Sequence, residues 1–154
     1  VELPDGSVLF GGDFTSYKGL TANRLAKINR SGDLDATFNP QSGANGANSV
    51  VRALLLNGTS IYVGGDFSNV KGKIANRIAK IDFDGNVDLT FNPSASANGT
   101  NLIVRAIAIN GGNLYIGGDF TTYRGVATNY LAKINSTTGA HDPTFTATGP
   151  NDSV

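Results

Sequence analysis

Apolar and polar positions along the chain fall into blocks that recur every 53 residues. Leu9-Phe10-Gly11-Gly12-Asp13-Phe14 returns as Tyr62-Val63-Gly64-Gly65-Asp66-Phe67 and again as Tyr115-Ile116-Gly117-Gly118-Asp119-Phe120. A fixed period of this length marks a repeat architecture, in which each unit buries its apolar surface against its neighbours.

Within a unit the pattern predicts four strands. Val50 to Leu56, matched by Leu102 to Ile109, is almost wholly apolar. Asn57-Gly58 and Asn110-Gly111 then mark a tight hairpin turn, where the first copy has Pro4-Asp5-Gly6. Ile61 to Phe67 is again nearly continuous in apolar and Gly residues. A polar loop leads to a third segment, Arg77 to Ile81, with Arg24 to Ile28 and Tyr130 to Ile134 as counterparts. After the turn Asp82 to Asn86 the last segment alternates. Val87, Leu89 and Phe91 fall on one face and Asp88, Thr90 and Asn92 on the other, as do Leu34, Ala36 and Phe38 against Asp35, Thr37 and Asn39. Period-two alternation predicts a strand with one face buried and one wet.

Continuous apolar runs belong to strands buried on both faces. The gradient from the first two segments to the fourth predicts a four-stranded antiparallel sheet stacked between similar sheets, with its inner strands near an axis. That is a β-propeller blade. No helical periodicity runs for two turns. A β-helix is the alternative, but its coils are normally shorter and need no hairpin turns. The fold class expected is therefore all-β: three propeller blades, over about 1–47, 48–100 and 101–154. The first lacks most of its inner strand. Three blades do not close a propeller, so the chain reads as one part of a larger one, completed by blades from the same chain or another copy.

The paired glycines after an apolar strand, the period near 50 residues and the basic or aromatic residue opening the third strand resemble kelch-type blades. The fuller pattern is more similar still to bacterial "delta-sixty" propeller repeats. It is carried by Leu3-Pro4-Asp5-Gly6, Gly11-Gly12-Asp13-Phe14, Asn23-Arg24-Leu25-Ala26-Lys27-Ile28 and Thr37-Phe38-Asn39-Pro40. The resemblance spans essentially the whole chain. It implies a propeller of a large secreted or surface-attached bacterial protein and brings no activity with it.

Composition narrows the function classes. The net charge is zero, which leaves no electrostatic footprint for nucleic acid. No stretch has the roughly 20 apolar residues of a membrane helix. With no Cys there is no disulfide or thiolate chemistry. His141 is the only histidine, so a zinc or copper site within the chain is not expected. The glycines form no phosphate loop, because no Gly-Lys-Ser/Thr follows them. The sequons at Asn57, Asn98, Asn135 and Asn151 are what an Asn- and Thr-rich chain produces by chance.

Strand order places the short turns at one end of each blade and the long connections at the other, the end where ligands are expected. There Tyr17-Lys18, Val70-Lys71 and Tyr123-Arg124 form a column. Aromatic rings beside cations suit sugars or acidic groups; the competing expectation is a ring packed on a neighbouring blade and a solvated cation. The recurring Gly11, Gly12, Asp13, Gly64, Gly65, Asp66, Gly117, Gly118 and Asp119 are expected to be structural. The glycines would allow close backbone approach, and the Asp would accept loop amides or pair with Arg24 or Arg77. Asp82, Asp84, Asn86 and Asp88 place oxygens at alternate positions, as calcium loops do, against a reading as an Asx turn. Taken together, the expectation is a non-enzymatic binding or scaffold propeller at a bacterial cell surface, engaging protein or glycan. A purely structural array, or part of an enzyme whose catalytic residues lie elsewhere, are the alternatives.

Overall fold

The computed structural model describes residues 1–93, 98–145 and 151–152. Among them every regular element is a strand. The first repeat holds β1 (Val8–Gly11), β2 (Ser16–Tyr17), β3 (Leu20–Thr21) and β4 (Leu25–Ile28). The second holds β5 (Val51–Asn57), β6 (Ser60–Gly65), β7 (Asn69–Val70), β8 (Lys73–Ile74) and β9 (Ile78–Ile81). The third holds β10 (Val104–Asn110), β11 (Asn113–Gly118), β12 (Thr122–Tyr123), β13 (Val126–Ala127) and β14 (Leu131–Asn135). The long strands form antiparallel sheets in the orders β1-β4, β5-β6-β9 and β10-β11-β14.

The apolar runs are explained by stacking. Alternate residues of β6 point to opposite sides. Ile61 and Val63 pack with Leu9, Leu25 and Phe38 of the first blade. Tyr62, with Ile78 and Phe91, packs with Val104, Leu114 and Ile116 of the third. The second strand of a blade thus has a strand on each edge and a sheet on each face, and Ile61 through Gly65 are all buried. The innermost strand is less buried than the apolar gradient predicts: β5 and β10 are mostly half-buried or exposed, because one of their edges has no strand beside it.

The paired glycines are the points of closest approach. A Cβ on Gly64 would sit 2.8 Å from Val104 of the next blade, and one on Gly11 would sit 2.2 Å from Val51. The second glycine faces its own blade instead. A Cβ on Gly65 would lie 2.1 Å from the Val50 carbonyl oxygen, and one on Gly118 would lie 2.0 Å from that of Ile103. Each innermost strand bulges here, between Val51 and Ala53 and between Val104 and Ala106.

The fourth segment departs from the expected strand. It contributes one isolated bridge per blade, Ile28 to Leu34, Ile81 to Val87 and Ile134 to His141, and then curls into a turn. Asp35 Oδ1 accepts the amides of Thr37 and Phe38, and Asp88 Oδ1 those of Thr90 and Phe91. A carboxylate that captures the next amides removes them from a ladder. The alternation therefore fails: Leu89 is 47% exposed, while Asn39 and Asn92 are fully buried. Their side-chain amides replace the missing strand. Asn39 Oδ1 accepts from the Lys27 amide and its Nδ2 donates to the Leu25 carbonyl; Asn92 does the same with Lys80 and Ile78. The blades are thus three-stranded, or in the first repeat two-stranded, edged by a side-chain amide.

Gly65→Ala and Gly118→Ala are expected to cost about 1–3 kcal/mol or more, since the obstacle is backbone. Gly112→Ala, with open space around it and an ordinary φ, is expected to be near neutral. Denaturant midpoints of the three variants check this ordering.

Candidate functional site

The long connection between the second and third strands is a hairpin in every blade: β2-β3, β7-β8 and β12-β13. Its two central residues have positive φ, 48° and 80° at Lys18-Gly19, with near-identical values at Lys71-Gly72 and Arg124-Gly125. This is the type I′ turn that matches strand twist. The hairpin folds back along its blade instead of projecting. Tyr17 Oη donates to the Gly32 carbonyl at 3.0 Å, and Tyr123 Oη to that of Gly139 at 2.6 Å. Both carbonyls belong to the turn after the third strand.

These contacts decide the fate of the aromatic column. Tyr123 and Val70 are fully buried, and only Tyr17, on the open side of the first blade, keeps part of its ring in solvent. Burial pushes the Tyr123 hydroxyl up to about 12, against the opposing charge of Arg124, so it stays protonated at neutral pH. A sugar-stacking role for Tyr123 is thereby corrected to a core role. The cations are corrected as well: two of the three are bridges, not solvated charges. The Lys71 ammonium donates to the Phe38 carbonyl of the preceding blade and lies 4.4 Å over the Phe38 ring, with Asp84 O at 3.2 Å. Its burial pushes the ammonium pKa down. Arg124 donates to the Phe91 carbonyl in the same way. Lys18 instead faces Asp33 at 3.5 Å, on the surface.

In the second and third copies the repeated Asp pairs with an arginine on the innermost strand; in the first it keeps the expected partner, the arginine opening the third strand. Arg52 forks onto Asp66 at 2.5 and 2.7 Å, and Arg105 onto Asp119 at 2.7 and 2.6 Å. Asp13 faces Arg24 at 3.7 Å. The sequence signal was the spacing Arg52 to Asp66, repeated by Arg105 to Asp119. Arg24, Arg77 and Tyr130 share a different constraint: each has φ near 60° where the chain turns into the third strand.

In the alternating acidic segment, the Asp82 and Asp88 carboxylates are engaged locally. Asp82 Oδ1 accepts the amides of Asp84 and Asn86, and Asn86 turns its NH2 towards Asp82 Oδ2. Asp88 holds Lys80 at 2.9 Å. Lys80, Asp82, Asn86 and Asp88 line a hollow of about 290 Å3 together with Thr59 and Ser60. Among the described residues, no group of three or more His, Cys, Asp or Glu is placed to hold a metal ion.

Three further groups were not foreseen. Asn48 and Asn101 cap the hairpins, each accepting two consecutive amides, Ser68 and Asn69 or Thr121 and Thr122. Asn45 and Asn98, both buried, tie the crossover to the hairpin by donating to Thr21 or Ile74 and to Pro40 or Pro93. The second strand of each hairpin turns outward, exposing Leu20 (45%), Ile74 (46%) and Val126 (48%). These side chains differ between copies while the hairpin does not. The expected crossovers over 93–101 and 148–153 lie partly outside the described residues.

Tyr123→Phe is expected to lose about 1 kcal/mol for its buried hydrogen bond, and Tyr123→Ala about 3–5 kcal/mol, by chemical denaturation. A pH profile supplies an independent check. Burial opposes ionisation of Asp35 and Asp88, but hydrogen bonds from Phe38 and Thr37, or Thr90 and Phe91, and from Lys27 or Lys80 outweigh it and hold both carboxyls low. Asp142 is held well below the usual range by Lys133 and Thr144. Their folded pKa values lie below the unfolded ones, so their contribution is complete above about pH 4 and is lost as pH falls through the folded values. Replacing all three by Asn should lower stability at pH 7 and flatten the acid limb of the curve.

Comparison with known proteins agrees with this geometry. No curated protein and no solved structure matches the chain significantly. A family described as "Domain of unknown function (DUF5122) beta-propeller" matches residues 3–38, 60–91 and 112–145, one match per repeat and most of the chain in all. The protein is a β-propeller repeat protein, and its chain belongs to the DUF5122 beta-propeller family.

Proposed function

We propose that the protein is a non-enzymatic scaffold that presents recognition hairpins, working as a secreted or surface-attached bacterial propeller in adhesion to protein or glycan. The observation that carries this reading is the division of labour between the two strands of each hairpin. One strand is fixed by the crossover, through the bridges Ala47 to Val70 and Thr100 to Tyr123. The other displays Leu20-Thr21, Lys73-Ile74 or Val126-Ala127, all exposed and different in each copy. A rigid frame carrying variable exposed residues is the usual arrangement of a binding surface. The resemblance to delta-sixty repeats supports the bacterial surface location. No cofactor enters the proposal; of the groups first considered for calcium, Asp82 accepts the amides of its own turn and Asp88 holds Lys80.

A purely structural array is the second reading, favoured by the recurring polar groups that serve blade cohesion: Arg52 with Asp66, and Lys71 on the Phe38 carbonyl. Glycan and protein arrays separate the two. The expected outcome is a hit that is lost when Leu20, Ile74 and Val126 are all replaced by Ser, with the melting temperature nearly unchanged because the three side chains are half exposed. A binding signal that survives the triple replacement sinks the hairpin reading, and an array without hits favours the structural one.

A further inference from the structure

Each blade brings two turns side by side. One is the hairpin turn before its second strand, at Gly58-Thr59 in the second blade; the other follows its third strand, at 82–86. In two of the copies a hydrogen bond straps these turns together. Arg30 Nε donates 2.8 Å to the Asp5 carbonyl in the first, and the Ser136 amide donates 2.9 Å to the Gly112 carbonyl in the third. The first copy is closed further, because Arg30 fills the space over Gly6 and the Ser7 hydroxyl donates to Asp5. One period after Arg30 and one before Ser136 stands Phe83. Its side chain packs into the apolar layer shared with the first blade, and its carbonyl accepts from Lys27 Nζ. Among the described residues, no hydrogen bond joins the two turns of the second blade.

The unstrapped turns leave the hollow of about 290 Å3 lined by Thr59, Ser60, Lys80, Asp82, Asn86 and Asp88, with apolar surface from Ile81 and Val87. The Thr59 and Ser60 hydroxyls bond to no other described residue. Lys80 lies 2.9 Å from Asp88, and Asn86 gives its NH2 to Asp82, which leaves the Asn86 carbonyl oxygen as an acceptor. One ammonium and two carboxylates in so small a space disfavour a charged ligand: an anion meets Asp82 and Asp88, and a cation meets Lys80. A neutral ligand whose groups both donate and accept suits the whole lining, since carboxylates and amide oxygen accept while ammonium and hydroxyls donate. The volume stands at the small end of ligand pockets, which begin at about 300 Å3, and so fits a single ring.

We propose that this hollow binds a neutral monosaccharide, its hydroxyls shared among Thr59, Ser60, Lys80 and the two carboxylates and its C–H groups against Ile81 and Val87. The same cleft is strapped shut in the first and third copies, so the second blade alone of the three carries the site. None of the lining residues belongs to β7-β8, and the proposal does not rest on what the hairpins of the three blades recognise.

Titration of the chain with glucose, galactose and mannose, followed through its amide NMR signals, reads the outcome. Saturable shifts at Thr59, Ser60 and Asn86 are expected with at least one sugar, and none there with sodium phosphate or calcium chloride. A response to phosphate or calcium alone, or to no sugar, overturns the proposal. Replacing both Thr59 and Ser60 by Ala removes hydroxyls the fold does not use, so the melting temperature is expected to hold while binding weakens by about tenfold; unchanged affinity overturns the proposal. Phe83→Arg puts the strap residue of the first copy into the second and is expected to abolish binding; should that variant melt without cooperativity, the Thr59 and Ser60 variant decides. Replacing Leu20, Ile74 and Val126 by Ser is expected to leave the sugar response intact, and its loss there overturns the assignment to the hollow.

Discussion

Everything else in this structure depends on how closely one blade can lie on the next. The sheets stack through alternate residues of their second strands, Ile61 and Val63 towards one neighbour and Tyr62 towards the other. That stacking is possible only where the backbone of one blade comes against side chains of the next, at Gly11 over Val51 and Gly64 over Val104. A side chain at either point would hold the sheets apart and open the apolar layer between them. The second glycine of the later two pairs, Gly65 and Gly118, solves a different problem in the same place, letting the strand pass the Val50 or Ile103 carbonyl of its own blade.

Close stacking leaves backbone groups that no strand satisfies, and the chain answers with side chains. Asn39 and Asn92 complete the edge of the third strand, Asn45 and Asn98 hold the crossovers, and Asn48 and Asn101 cap the hairpins. A side-chain amide carries a donor and an acceptor side by side, so it can stand in for a peptide group. Part of the abundance of Asn, which in composition looks like a surface property, is therefore internal: Asn39, Asn45, Asn92 and Asn98 are buried. Lys71 and Arg124 work to the same end by reaching carbonyls of the preceding blade.

The division between frame and surface follows from this. Groups that recur in every copy are the ones that contact the next blade or the next turn. Residues free to differ, such as Leu20, Ile74 and Val126, are those that face away from both. Recurrence in the sequence pointed away from the Gly-Gly-Asp motif as a site and towards the column of Tyr17, Val70 and Tyr123, where two of the three copies brace a turn with a hydroxyl.

The sequence by itself determined the repeat, its period, the all-β class and the long strands of each blade, three in the second and third and two in the first, because those depend on local alternation, on turn residues such as Asn57-Gly58 and on apolar runs. It also marked the Gly-Gly pairs as places of close approach. Only the tertiary structure decided the rest. The segment from Val87 to Asn92 alternates like a strand, yet Asp88 captures the following amides and the buried Asn92 takes the strand's place. Polar loop residues were read as solvent-facing because polarity alone does not reveal whether a partner carbonyl lies across an interface. Lys71 meets Phe38, and Arg52 meets Asp66, only after the blades have stacked and the strands have paired. The first of these joins residues 33 apart on different blades, which no local pattern encodes; the second left a trace only in a spacing that repeats.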